Sequence, residues 1–282
     1  MSVITQKIAE VRALVAAARE RGLTVGLVPT MGSLHDGHGA LMRRAREETG
    51  YVVATIFVNP TQFDRPDDFQ KYPRRIETDL AYCGRLGVDM VFAPDAEEMY
   101  PSGETMTSVE VAGISSRLEG EFRPGHFRGV ATVVAKLFNI IAADRAYFGE
   151  KDAQQMAVIQ KMVADLNFPI TIVPVPTVRE PDGLAMSSRN QRLTPQDRRI
   201  APVLYQALCE AERLIRGGSH SVAAITQAAH DILLRNPAIR IEYLNVVNPA
   251  TFQPEERVTG QVRIAAAVWL GDVRLIDNIL VR

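Results

Sequence analysis

Short apolar runs alternate with helical segments over the first part of the chain. The apolar runs cover residues 24–30, 51–58, 88–93, 145–148 and 170–175. Between them, apolar residues recur at helical spacing in segments 4–18, 40–48, 76–86, 129–142 and 153–166. Strands that are apolar on both faces and separated by helices are typical of a parallel sheet covered on both sides. The pattern therefore predicts a doubly wound, Rossmann-like α/β domain over residues 1–180, with ligands beyond the carboxyl ends of its strands.

The pattern changes near residue 180. The chain is interrupted there by Pro174, Pro176, Pro181 and Gly183. Two helical segments follow, and strand-like stretches come only after them; the helices are expected at 195–216 and 221–235, and the strands at 239–247, 262–269 and 273–276. Helices followed by closely spaced strands predict a smaller α+β domain with an antiparallel sheet over residues 181–282.

The charge balance narrows the classes of partner. The 282-residue sequence has 32 Lys and Arg against 33 Asp and Glu, a formal net charge of −1. No bulk electrostatic attraction therefore favours nucleic acid or an anionic membrane as the main partner. The two cysteines, Cys83 and Cys209, are too few for a disulfide framework and fit a reducing compartment. Because Lys7 and Glu10 interrupt any amino-terminal apolar segment, we expect an unprocessed, soluble, cytoplasmic protein.

The segment with the clearest chemical signal lies between the first predicted long strand and the helix after it. It reads Pro29-Thr30-Met31-Gly32-Ser33-Leu34-His35-Asp36-Gly37-His38. Glycines let the backbone approach a ligand closely, and a helix N-terminus offers N–H groups and partial positive charge. The imidazoles of His35 and His38 can reach the same anion, so the segment predicts a phosphate site, although it has neither the Walker lysine nor the GxGxxG spacing. Ordinary helix-start histidines, or a zinc site with a third ligand elsewhere, are the alternatives.

Together with its surroundings, this segment resembles the HxGH signature of the nucleotidyltransferase and class I aminoacyl-tRNA synthetase superfamily. Further stretches are similar to motifs of one family within it, the pantoate–β-alanine ligases. They read Phe57-Val58-Asn59-Pro60-Thr61-Gln62-Phe63, Tyr72-Pro73-Arg74, Arg123-Pro124-Gly125-His126-Phe127, Phe148-Gly149-Glu150-Lys151-Asp152-Ala153-Gln154-Gln155 and Asp182-Gly183-Leu184-Ala185-Met186-Ser187-Ser188-Arg189-Asn190, and stretches 241–249 and 274–278 also look familial. Several motifs in the right order, over nearly the whole chain, make the resemblance specific.

The resemblance implies an ATP-dependent ligase that works in two steps. Pantoate and ATP give pantoyl adenylate and pyrophosphate, and β-alanine then displaces AMP to give pantothenate, a precursor of coenzyme A. ATP is implied as its magnesium complex, with Asp79 or Asp152 as candidate metal ligands, and the assembly is implied to be a homodimer. Adenylation is needed because a carboxylate is anionic and its oxygen is a poor leaving group. The site must then stabilise charge on the departing pyrophosphate.

The resemblance also assigns the nucleotide site. His38 is implied to donate a proton or hydrogen bond to the phosphates, and the other implied catalytic residues are His35, Lys151 and Arg189. The implied ATP-binding residues are Met31, Gly32, Ser33, Leu34, His35, Asp36, Gly37, His38, Gly149, Glu150, Lys151, Asp152, Val178, Met186, Ser187, Ser188 and Arg189. Without the resemblance, Lys151 would be interpreted as a solvated partner of Asp152, and segment 186–189 as a polar interdomain loop.

The acyl substrate is implied to lie against two glutamines, Gln62 and Gln155. A neutral amide accepts from a hydroxyl and donates to a carboxylate at once, which suits a hydroxy acid such as pantoate. The β-alanine carboxylate needs a cation or an amide. The candidates for it are Gln62, Asn59, Arg123 and His126.

Three other functions stay open on the residues alone. An adenylyltransferase that leaves AMP on its product would share the HxGH segment, but the paired glutamines and segment 123–127 favour the ligase. A nucleotide-binding regulatory module would not need His38, Lys151 and Arg189 together. A zinc-dependent hydrolase that uses His35 and His38 is the last alternative.

Overall fold

The computed structural model describes residues 2–101, 103 and 106–282. These residues group into two compact units. The first comprises the described part of Met1–Glu150 together with Gln155–Pro176, and the second comprises Lys151–Gln154 and Thr177–Arg282. The main division therefore falls between Pro176 and Thr177, a few residues before the expected position at 180, and segment 151–154 groups with the second unit.

The first unit is built around a six-stranded sheet of order β1-β4-β3-β2-β5-β6, in which every neighbouring pair is parallel. Its strands are β1 (Val3–Thr5), β2 (Val25–Thr30), β3 (Tyr51–Ile56), β4 (Met90–Phe92), β5 (Arg145–Gly149) and β6 (Thr171–Val175). The helices along this part of the chain are α1 (Ile8–Glu20), α2 (Asp36–Glu48), α3 (Pro66–Lys71), α4 (Ile76–Arg85), α5 (Ala96–Met99), α6 (Glu119–Phe122), α7 (His126–Ile141) and α8 (Ala153–Asp165). The predicted doubly wound, Rossmann-like architecture is confirmed.

Packing of helices against the sheet explains why its strands read as continuous apolar runs. Val28 of β2 packs with Leu41 and Met42 of α2 in one buried cluster. The helices α1 and α7 contact each other and also pack against β2. Leu27, the neighbour of Val28, is likewise fully buried. Successive strand residues point to opposite faces, so burial of both residues removes the polar alternation that a half-exposed strand would show.

The strand order reverses beside β2. The chain runs outward from β2 to β3 and β4, and then returns to the other side of β2 for β5 and β6. In open α/β sheets, ligands bind outside the carboxyl ends of the strands at such a switch point. The segments that follow β2 and β5 therefore leave the sheet where a site is expected.

The second unit is α+β, as predicted. Its antiparallel sheet has the order β7 (Ile239–Val247), β8 (Val262–Leu270) and β9 (Val273–Val281), and its helices are α9 (Pro195–Ile200), α10 (Val203–Arg216) and α11 (Val222–Leu234). Leu208 of α10, Ile225 of α11 and Val268 of β8 share one apolar core. Among the helices of the described residues, none is long and apolar enough to cross a membrane.

Three differences from the predicted element boundaries have a clear physical reason. Ile4 belongs to β1, where it pairs with Val91, and α1 begins only at Ile8. The helix expected over 195–216 is divided into α9 and α10, because Pro202 has no N–H to continue the helical ladder. Strand β9 continues to Val281, since its antiparallel pairing with β8 extends that far.

Candidate active site

The turn after β2 is held by one buried carboxylate. Gly32 and Ser33 have positive φ angles of 81° and 51°, a conformation that is uncommon for a non-glycine residue such as Ser33. Asp79 of α4, which is 2% exposed, accepts the backbone N–H groups of Ser33 and Leu34, each at 2.8 Å. A Cβ on Gly32 would lie 2.9 Å from Asp79 Oδ2. Tertiary contacts therefore fix the turn that begins the predicted phosphate segment.

The two histidines of this segment lie at the start of α2. His35 Nδ1 accepts the N–H of Gly37 at 3.1 Å, and His38 Nδ1 accepts the N–H of His35 at 3.3 Å. Their ring centroids are 4.2 Å apart. Because each Nδ1 acts as an acceptor, the neutral imidazole at either position carries its proton on Nε2. Both rings therefore have an Nε2–H donor at a helix N-terminus, where the helix dipole favours an anion.

The carboxylates that were candidate metal ligands lie in different surroundings. Both oxygens of Asp79 accept backbone amides, whereas 49% of the Asp152 side chain is exposed. Over the described residues, no group of three or more His, Cys, Asp or Glu side chains is placed to hold a metal ion. A magnesium ion that enters with ATP can take most of its ligands from phosphate and water. Asp79 as a magnesium ligand stays a prediction.

Gln62 is held in one orientation next to the histidine segment. It ends the 3-10 helix Pro60–Gln62 that follows β3, and it is buried. Asn59 Nδ2 donates to Gln62 Oε1 at 3.0 Å, and Gln62 Nε2 donates to the sulfur of Met31 at 3.2 Å. The structure thus brings together Gln62, Asn59 and the first residue of the segment 31–38.

Asn59 has its polar atoms engaged within the protein. It is 1% exposed. Its Oδ1 accepts the Tyr100 hydroxyl at 2.8 Å and the Thr61 hydroxyl at 3.0 Å, and its Nδ2 also donates to the Gly129 carbonyl at 3.3 Å. Asn59 therefore orients Gln62, while direct binding of β-alanine by Asn59 stays a prediction. Sequence reasoning missed Tyr100, because a lone tyrosine 41 positions from its partner gives no spacing signal.

Arg123 and His126 also converge on Gln62. Arg123 Nε donates to Asp64 Oδ1 at 3.1 Å, and His126 Nε2 lies 3.2 Å from Arg123 Nη1. Since a guanidinium only donates, His126 Nε2 accepts there, and its Nδ1–H donates to the Gln62 carbonyl at 2.8 Å. Burial, with a further contribution from Arg123, lowers the pKa of His126 to about 4. His126 is therefore neutral at physiological pH and positions the Gln62 main chain.

Gln155, the second predicted pantoate residue, lies in the first turn of α8. Its side chain is half-buried, whereas the preceding residue, Gln154, is buried. The position at the start of the helix that follows β5 agrees with the sheet edge where ligands are expected. Contact of Gln155 with pantoate stays a prediction.

Lys151 belongs to the second unit. It lies in the 3-10 helix Glu150–Asp152 that follows Gly149, the last residue of β5. The Lys151 side chain is 18% exposed, and its Nζ lies 3.9 Å from Asp152 Oδ1. The Lys151 side chain is therefore mostly buried, and its ion pair with Asp152 is long.

The segment after β6 forms a narrow, irregular hairpin. The Val178 carbonyl accepts the N–H of Met186 at 3.0 Å. Ser187 Oγ accepts the N–H of Arg189 at 3.2 Å and so caps the 3-10 helix Ser188–Arg192, in which Ser188 is buried. The residue predicted for adenine, Val178, thus lies directly beside the predicted phosphate residues of segment 186–189.

Comparison with known proteins decides the family. The sequence profile described as pantoate-beta-alanine ligase matches residues 3–280. The chain belongs to this ligase family. A pantothenate synthetase of Moorella thermoacetica is 53% identical over 277 residues, which cover 98% of each chain. One of Thermoanaerobacter sp. (strain X514) is 48% identical over 278 residues, covering 99% of this chain and 98% of the relative.

Solved structures of the same family share the fold. Pantothenate synthetase from Thermus thermophilus superposes with a TM-score of 0.93 at 48% identity, with 98% of both chains covered. The pantoate-beta-alanine ligase from Francisella tularensis, solved in complex with beta-gamma ATP and beta-alanine, has a TM-score of 0.83 at 34% identity and covers 99% of this chain and 98% of its own.

Family membership also decides among the functions that the residues left open. The chain is an ATP-dependent pantoate–β-alanine ligase that forms pantothenate. The predicted activity is confirmed, and the adenylyltransferase, regulatory-module and zinc-hydrolase alternatives are wrong. The roles of individual residues stay predictions.

Proposed function

We propose that this ligase works through pantoyl adenylate and that adenylation takes place at the turn carrying His35 and His38. The observation that carries the proposal is the pair of Nε2–H donors at the N-terminus of α2, in a segment whose first residue, Met31, contacts the oriented amide of Gln62. The Francisella relative binds a nucleotide and β-alanine, which supports ATP and β-alanine as substrates here.

In the first step, a carboxylate oxygen of pantoate attacks the α-phosphorus of ATP. An O–P bond forms, the bond from that phosphorus to the bridging oxygen breaks, and pyrophosphate leaves with the electron pair. Charge grows on the departing phosphates, where positioned donors lower the barrier most. The imidazoles of His38 and His35, at the N-terminus of α2, are assigned this role.

Cations complete the phosphate site in this proposal. The departing pyrophosphate carries several negative charges, so Lys151 and Arg189 are assigned to it together with the hydroxyls of Ser187 and Ser188. Val178 is assigned to the adenine. The remaining nucleotide contacts are assigned to Met31, Asp36, Gly37, Gly149, Glu150, Asp152 and Met186.

The amide of Gln62 suits the acyl substrate because one of its partners is weak. Sulfur is a poor acceptor, so a substrate oxygen can displace Met31 from Gln62 Nε2. Asn59 meanwhile keeps Gln62 Oε1 in place. Gln155 is assigned to the other polar groups of pantoate. Pantoate would thus be oriented by two neutral amides before its carboxylate reacts.

In the second step, the amine of β-alanine attacks the acyl carbon of the adenylate. An N–C bond forms, the C–O bond breaks as AMP leaves with its electron pair, and the proton lost by the amine passes to solvent. Gln62 is assigned to β-alanine as well as to pantoate, and Arg123 supplies positive charge near the Gln62 main chain. Asn59 and His126 are assigned to β-alanine binding indirectly, because their hydrogen bonds hold Gln62 in place.

Mg²⁺ is expected to enter with ATP and to reduce the negative charge of its phosphates.

The chain is expected to act as a cytoplasmic homodimer. Sedimentation velocity tests the assembly directly. A single species of one chain mass at working concentration would contradict it.

Product analysis tests the proposed reaction. With ATP, pantoate and β-alanine supplied together, AMP and pyrophosphate should accumulate in step with pantothenate. Formation of ADP and inorganic phosphate would instead indicate an acyl phosphate intermediate.

A further inference from the structure

Strand β9 carries a polar pair that the catalytic assignments leave unused. Asp277 and Asn278 belong to the stretch 274–278 that the sequence analysis singled out, and they are 3% and 8% exposed. Buried polar side chains cost free energy unless they are hydrogen-bonded. Their partners therefore indicate what this pair does.

Asn278 reaches the main chain of Lys151. Its Nδ2 donates to the Lys151 carbonyl at 2.9 Å, and both residues belong to the second unit. Its Oδ1 accepts Nη1 of Arg263, a buried residue of β8. Because a guanidinium only donates, the amide oxygen must face Arg263, and the NH₂ group must face Lys151.

Asp277 holds the neighbouring segment of the same unit. Arg179 donates to its two oxygens at 2.5 and 3.0 Å and also to the Gly183 carbonyl at 3.1 Å. The Arg179 guanidinium lies 3.7 Å from the centroid of the Tyr205 ring. Asp277 Oδ1 further accepts the N–H of Asn278 at 2.8 Å. The Asn278 backbone is thus anchored to a rigid ion pair, so its side chain projects from a fixed point.

We propose that Asn278 is a positioning residue for adenylation: it fixes the main chain of Lys151 so that the ammonium group meets the departing phosphates. This inference rests on the proposed role of Lys151. A lysine side chain is long and flexible, and Lys151 lies in a single turn of 3-10 helix. Fixing its carbonyl limits the volume that the ammonium explores.

The test is a double-mutant cycle read by pantoate-dependent exchange of pyrophosphate into ATP. Asn278→Asp keeps the size and the Arg263 contact but places an oxygen against the Lys151 carbonyl. We expect exchange to fall by about 10- to 100-fold, the scale of a misplaced catalytic group, with the KM for pantoate nearly unchanged. Asn278→Ala removes the donor without adding charge and serves if Asn278→Asp folds poorly. Asn245→Asp is the matched control, because Asn245 and Asn278 flank Ala265 from opposite sides in the same sheet, and its exchange should match the wild type.

The same substitutions in a Lys151→Ala background separate positioning from general damage. If Asn278 acts through Lys151, its substitution should lose nearly all effect once Lys151 is absent. A loss of equal size in that background would overturn the positioning role while leaving the role of Lys151 intact. Wild-type exchange by Lys151→Ala alone would overturn the role of Lys151 and this inference with it.

Discussion

Asp79 Oδ2 accepts the backbone N–H of Ser33 at 2.8 Å. Helix α4 thereby supports the turn in which Ser33 adopts a positive φ of 51°. Backbone strain of this kind persists where surrounding contacts over-determine it. The geometry of the proposed phosphate site therefore depends on the Asp79 carboxylate, which accepts two backbone N–H groups.

Asp79→Asn should weaken this support. The new NH₂ group would face a backbone N–H and leave one amide unsatisfied, at a cost of about 1–3 kcal/mol in unfolding free energy. Urea denaturation and calorimetric titration with Mg-ATP would measure stability and nucleotide affinity, and we expect both to fall. The exposed Glu77 on the same helix gives the control Glu77→Gln. Normal stability combined with a raised Mg²⁺ requirement would show that Asp79 is a metal ligand instead.

His38→Ala should lose on the order of 10²- to 10³-fold in adenylation, the usual loss on removing one transition-state donor. The loss should fall on the first step alone. Rapid-quench measurement of adenylate formation, and separate conversion of supplied pantoyl adenylate with β-alanine, would distinguish the two steps. An equal loss in the second step would mean that His38 has no specific role toward the departing phosphates.

His126 should make stability depend on pH. Its pKa is lowered to about 4 by burial, against about 6.5 when unfolded. Above pH 6.5 the ring is neutral in both states; as the pH falls from there toward 4, protons bind the unfolded chain preferentially. The contribution of His126 to the free energy of unfolding is thus fully present above pH 6.5. It is lost on acidification, and the loss is about 2 kcal/mol between pH 7.5 and pH 5.

The variant His126→Asn isolates this contribution from that of the carboxylates. An asparagine can still donate to the Gln62 carbonyl but does not titrate. Urea unfolding of wild type and variant at pH 7.5 and pH 5 should show a shallower decline for the variant. Parallel declines would mean that His126 titrates normally in the folded state.

Gln62→Leu and Gln155→Leu should each weaken pantoate binding. Each removes a hydrogen bond and leaves a polar group of pantoate unsatisfied, which costs about 1–3 kcal/mol, or about 5- to 150-fold in affinity. Calorimetry with pantoate and with ATP should show the loss for pantoate alone. The two substitutions should be non-additive, because both side chains hold one small ligand. Gln160→Leu, at an exposed position of the same helix α8, is the control for Gln155→Leu. Weakened ATP binding with normal pantoate binding would mean that these glutamines do not form the pantoate site.

The parallel sheet was predictable because its long strands are buried on both faces, as Val28 and Leu27 show. Strand β1 was missed for a local reason. It has three residues, and Ile4 is also in phase with the apolar face of α1, so nothing in the pattern separates the two. Its pairing with β4, far along the chain, decides the outcome.

The residues of the site were predictable only where they belong to a motif. His35, His38 and Gln62 stand in recognisable stretches, and the structure brings Gln62 to the first residue of the histidine segment. The contacts that hold residues of the site in place were not predictable, even where one partner, Asn278, lies in the familial-looking stretch 274–278. Tyr100 lies 41 positions from Asn59, and Asn278 lies 127 positions from Lys151. Such contacts arise from tertiary folding, and local spacing carries no trace of them.

Isotope exchange between labelled pyrophosphate and ATP shows whether the enzyme forms a free acyl adenylate before it uses the amine. This exchange should require pantoate and should proceed without β-alanine. A preparation that makes pantothenate but shows no such exchange would contradict the stepwise mechanism.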